Sequence, residues 1–111
     1  MSTTSQSPTY KDLEQISEKT GIEAPVVNTP KSAETYSSPV KFSGQGIPGW
    51  RVYFVHKPID GTTFGFALVD ENGEWEFDCV FDPRVYKVFG IQTYNGVRSP
   101  WTDDIEFEVT A

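Results

Sequence analysis

From Trp50 to Phe77 apolar and polar residues alternate, and Asp60-Gly61 and Asn72-Gly73 punctuate the run. A period of two sends successive side chains to opposite faces of an extended strand, so the pattern points to strands rather than helices. Asx-Gly pairs favour type I′ turns, because both central residues there need positive φ. The segment therefore predicts neighbouring antiparallel strands joined by tight turns.

The same reading extends in both directions. Ala24 to Asn28 is expected as an edge strand, with Pro25 tolerated at its start. Thr29 to Ser38 is polar, holds Pro30 and reads as a loop. Further strands are expected at Val40 to Gly44, Trp50 to His56, Thr63 to Asp70, Glu74 to Phe81, Val85 to Tyr94 and Ile105 to Thr110. Short strands at this spacing are the pattern of an antiparallel sandwich. Alternation sends Val52, Phe54, Ala67, Val69, Trp75, Phe77, Tyr86, Val88, Ile105, Phe107 and Val109 inward. Arg51, Glu74, Glu76, Lys87, Glu106 and Glu108 face water. Gly65 and Gly90 are strand-interior glycines, which suggest a bulge or a close backbone approach.

The 111 residues suit one domain. Residues 1–38 are mostly Ser, Thr, Pro, Glu and Lys, and the rest holds nearly all the large aromatics. This asymmetry predicts a flexible leader over residues 1–22 and a sandwich over residues 23–111. Within the leader, a short helix is expected over Tyr10 to Lys19, with Tyr10, Leu13 and Ile16 on one face and Gly21 as its stop. If the leader is a mere appendage, its removal leaves thermal stability almost unchanged.

The net charge of −7 argues against nucleic acid, whose phosphates call for a basic patch. It argues equally against an anionic membrane surface. No apolar run approaches the ~20 residues of a membrane-spanning helix. Met1 to Pro8 lacks the basic and apolar segments of a secretory signal, so the chain is expected to be cytoplasmic or exported by a signal-independent route. The single Cys79 forms no intrachain disulfide and reads as a small buried apolar residue.

The run Gly46-Ile47-Pro48-Gly49-Trp50-Arg51-Val52 resembles the G-x-P-G-x-x-V approach to the third strand of bacterial immunoglobulin-like repeat domains. Gly65-Phe66-Ala67-Leu68-Val69-Asp70-Glu71-Asn72-Gly73-Glu74-Trp75-Glu76-Phe77 resembles their next signature, G-x-A-x-V-D-x-N-G-x-W-x-F. Val85-Tyr86-Lys87-Val88, Gln92 and Asn95 to Trp101 resemble the closing strands. The likeness spans residues 24–111. It implies an all-β, immunoglobulin-like (fibronectin III-like) antiparallel sandwich with Trp75 plugging the space between two sheets. It also implies a non-enzymatic spacer or adhesive module of a bacterial or phage surface or secreted protein. The chain holds one copy of the pattern, and the family has no shared catalytic residue to carry over.

No constellation of residues marks a reaction. His56 has no nucleophile beside it in sequence and reads as an ordinary surface histidine. Most Asp and Glu residues alternate with apolar ones, as on a solvated sheet face. Asp70 to Gly73 has part of a calcium loop, but the distal ligand spacing fails and a plain turn is expected. His and Cys are too few for zinc. Neither a metal nor a cofactor is expected.

Aromatics are the remaining signal. Tyr94 before the Asn95-Gly96 turn and Trp101 after Ser99-Pro100 form a candidate ligand-binding pair for a protein or glycan partner. Phe89 and Ile91 share the strand face opposite Tyr86 and Val88, which would be an apolar patch if left open. The expectation is a monomeric, non-enzymatic binding or structural module. The alternative is a carbohydrate-binding accessory module using Tyr94 and Trp101.

Overall fold

The computed structural model describes residues 9–57 and 63–110, and its elements track the alternation of the sequence. In chain order they are α1 (Tyr10–Glu14), β1 (Ser17–Glu18), β2 (Val26–Thr29), β3 (Thr35–Ser37), β4 (Val40–Gln45) and β5 (Arg51–His56). Next come β6 (Thr63–Leu68), β7 (Glu74–Cys79), β8 (Arg84–Tyr94), β9 (Val97–Arg98) and β10 (Ile105–Thr110). The Asp60-Gly61 turn lies outside the described residues.

The strands form two layers of an immunoglobulin-like sandwich, a seven-stranded sheet and a three-stranded sheet ordered β2-β4-β7. The long β8 organises the larger one. Its Val88 pairs His56 of β5 on one edge and Ile105 of β10 on the other. Thr93 likewise pairs Arg51 and Arg98, so β9 and β10 share one edge of β8. Beyond β5 lies β6, which has no other strand partner among the described residues.

Two pairings depart from the purely antiparallel expectation. β3 runs parallel to β10, and β1 runs parallel to β9. β3 falls within the stretch read as a loop. The chain crosses to it from β2 in the other sheet over residues 30–34.

The inner faces meet over an aromatic core. Phe42 stacks on Phe77 at 4.9 Å and meets Phe54 edge-on at 5.1 Å. Trp75 is buried against Phe54 at 5.6 Å, and its Nε1–H donates to Gln45 O at 3.0 Å. Burying the indole while satisfying its one donor avoids the cost of an orphaned polar group. Of the eleven residues expected inward, nine are buried, and Phe77 and Tyr86 are half-buried against them. The six charged partners are exposed. The two strand-interior glycines are ring seats. A Cβ at Gly90 would lie 2.9 Å from the Phe54 ring, and one at Gly65 would strike the Phe77 ring.

The Asx-Gly turns differ from one another. Asn95 (φ 49°) and Gly96 (φ 82°) both have the positive φ of a type I′ turn. At Asn72-Gly73 only Gly73 does (φ 82°), so the type I′ expectation fails there. Gly73 N–H donates to Asp70 O at 3.0 Å, and Asp70 N–H to Glu74 O at 2.8 Å. This is a type I turn closed by a left-handed glycine. It also does not join neighbours in one sheet: it hands the chain from β6 in the large sheet to β7 in the small one.

Candidate functional site

A strand buried on one face alternates, whereas one buried on both reads as continuous apolar sequence. Val52 to Val55 and Val88 to Gln92 are buried without interruption. The large sheet therefore has something on its outer face as well. By register that face carries Arg51, Tyr53 and Val55 of β5, Phe66 and Leu68 of β6, and Phe89, Ile91 and Thr93 of β8.

One half is covered by the chain's own N-terminal segment, at Tyr10, Leu13 and Ile16. Leu13 is 1% exposed and clusters with Tyr53 and Ile91, with Ile16 and Trp101 packed around them. Tyr10 stacks on Trp101 at 5.2 Å and meets Phe89 edge-on at 6.0 Å. The Phe89–Ile91 patch is thus closed rather than open. A helix of five residues is marginal alone. Here Thr9 and Asp12 cap it reciprocally at 3.1 Å, and Leu13 anchors it. The helix stops at Glu14, short of the expected Lys19, because Ser17 and Glu18 pair with β9 instead.

Polar groups fasten the segment beyond the helix. The nearly buried Arg98 side chain donates from Nε to Ile16 O at 3.0 Å and lies 3.6 Å from the Glu18 carboxylate. Buried Gln92 donates from Nε2 to Glu23 O and accepts at Oε1 from Ile47 N–H, both at 2.9 Å. Both belong to the stretch that resembles the closing strands, Gln92 by itself and Arg98 within Asn95 to Trp101, but nothing in the sequence assigns either one this fastening role. The visible signal was a polar residue at the end of a continuous apolar run, Val88 to Gln92.

The other half is left open by the described residues. Phe66 is 52% exposed and Leu68 60%, and Phe66 stacks on Tyr53 at 5.9 Å. Beside them runs a groove of about 470 Å³ whose walls include Arg51, Tyr53, Leu68, Thr93, Tyr94 and Asn95. It combines Leu68 and the rings of Tyr53 and Tyr94 with the Arg51 guanidinium, the hydroxyls of Tyr53, Thr93 and Tyr94, and the Asn95 amide.

The two aromatics paired by the sequence pattern are not brought together. Tyr94 is 53% exposed and stacks on Trp50 of the inner core at 5.8 Å. Trp101 sits under Tyr10 and against Phe89, at 5.0 Å, on the covered half. Tyr94 therefore borders the open groove, and Trp101 does not.

The remaining titratable candidates have structural surroundings. His56 is half-buried rather than superficial, stacked on Phe64 at 4.4 Å with Phe81 and Tyr86 beyond. The Asp70 carboxylate accepts from Asn72 N–H and Glu74 N–H at 2.9 Å, which uses it inside its own turn. Cys79 is half-buried, and desolvation pushes its thiol pKa up. No described helix is long and apolar enough to cross a membrane.

Among known proteins, no family model matches the chain and no curated sequence is significantly similar to it.

Proposed function

We propose that the chain is a non-enzymatic interaction module, of the spacer or adhesive kind that the resemblance to bacterial and phage surface domains implies. It works through the open half of the large sheet's outer face. The observation that carries this reading is the exposure of Phe66 and Leu68 at 52% and 60%, side by side on one strand face. Large apolar side chains grouped on a surface favour a partner that removes them from water. The Tyr94 groove adds polar groups that would orient such a partner.

Binding of the neutral dye Nile red tests the reading. The folded chain binds it, and Phe66→Ser with Leu68→Ser removes most of that binding while the melting temperature stays within a few degrees. A chain that ignores the dye, or a double variant that binds as before, contradicts it.

The carbohydrate reading rests on the exposed Tyr94 ring beside Arg51, Thr93 and Asn95. Because Tyr94 lies on Trp50, a bound sugar shifts the tryptophan fluorescence, and Tyr94→Ala abolishes the shift. A glycan panel without any shift removes this reading. Turnover of generic ester or glycoside substrates, lost in His56→Ala, would overturn both.

A further inference from the structure

Sheet edges invite pairing, and folded chains blunt them with short strands, charges or prolines. Four of the free edges here are blunted. β1 and β3 have two and three residues. β2 has four and lies between Pro25 and Pro30. β7 carries Glu74, Glu76 and Asp78, all exposed. β6 is different: Thr63-Phe64-Gly65-Phe66-Ala67-Leu68 is six residues long with neither charge nor proline. Among the described residues it pairs with β5 alone.

The backbone sets which groups are free. Val69 N–H donates to Trp50 O at 2.8 Å, toward β5. Peptide groups alternate along an antiparallel strand. Those of Ala67 therefore also point to β5, and those of Phe66 and Leu68 point away from it. A bulge at Phe64 limits the regular stretch to Gly65–Leu68.

We propose that this edge pairs with the same edge of a second copy, antiparallel about a two-fold axis at Ala67. The proposal rests on the interaction-module reading and names its partner. In this register Phe66 of one copy lies opposite Leu68 of its partner as a hydrogen-bonded pair, and each covers the other's exposed side chain on the same face. No like charges oppose each other across the strand. The same self-pairing of β7 would set acid against acid. The occupant is therefore a second copy rather than a charged peptide.

The contact is small, roughly half of the ~800 Å² per partner of a standard stable interface. Association is accordingly weak in dilute solution and becomes effective where copies are tethered close together. Each copy carries −7, so salt strengthens the pairing by screening repulsion.

Sedimentation equilibrium of the full chain from about 10 µM to 1 mM, in about 0.1 M and 0.5 M salt, tests this. A monomer–dimer equilibrium that tightens with salt is expected. Leu68→Lys, with its melting temperature checked, weakens it at least tenfold, and Val26→Lys on the β2 edge leaves it unchanged. Concentration-dependent amide shifts centred on Phe66 to Leu68 provide a readout that needs no variant. A chain monomeric at 1 mM in both salts overturns the proposal, as does dimerisation indifferent to Leu68→Lys or shifts confined elsewhere. Retained dye binding by such a monomer would leave the interaction-module reading standing.

Discussion

The outer face of the large sheet has two halves of similar chemistry and opposite fates. Around Ile91 and Phe89 the apolar side chains lie beneath Leu13, Tyr10 and Trp101. Around Phe66 and Leu68 they stand in water. Both halves are built from alternate residues of strands whose inner faces line the same core. What separates them, among the described residues, is a short capped segment that lies over one half alone. Apolar residues on a strand's outer face thus acquire a structural or a recognition role according to what the rest of the chain lays over them.

The sharpest way to break this comparison is to remove residues 1–22. That strips the cover from Tyr53, Phe89 and Ile91 and leaves the Arg98 side chain without Ile16 O and Glu18. The melting temperature should fall by about 10–20 °C, the equivalent of a few kcal/mol in a domain of this size. An unchanged transition would mean that the leader is a mere appendage after all. Leu13→Ala is the next largest, with an expected loss of about 2–4 kcal/mol in urea unfolding because the side chain is fully enclosed. Gln92→Ala leaves Ile47 N–H and Glu23 O unsatisfied and should cost about 1–3 kcal/mol by the same assay. On the open half, Leu68→Ser should change stability by no more than about 0.5 kcal/mol. A cost there as large as at Leu13 would erase the difference between the halves.

Much of the sandwich was legible because alternation is strong where only one face is buried. Ile105, Phe107 and Val109 of β10 are buried between exposed Glu106, Glu108 and Thr110. β1 and β3 escaped because two or three residues carry no period: Ser17-Glu18 falls within the expected helix and Thr35 to Ser37 within the expected loop. The hand-over at Asn72-Gly73 escaped because a turn motif says that the chain reverses, not whether it stays in its sheet. The cover was legible only in part. The sequence shows Tyr10, Leu13 and Ile16 on one helical face, but a polar composition around them conceals that this face has a seat. Tyr94 was identified as exposed near a turn. Trp101 was paired with it because sequence proximity does not reveal that Tyr10 lies over the ring.

The division of the outer face is tested most directly by methyl NMR of the leucines with a neutral paramagnetic cosolute. Leu68 methyl signals should broaden strongly while those of Leu13 stay sharp. Equal broadening of the two would show Leu13 in water and the covered half open, and would contradict the account.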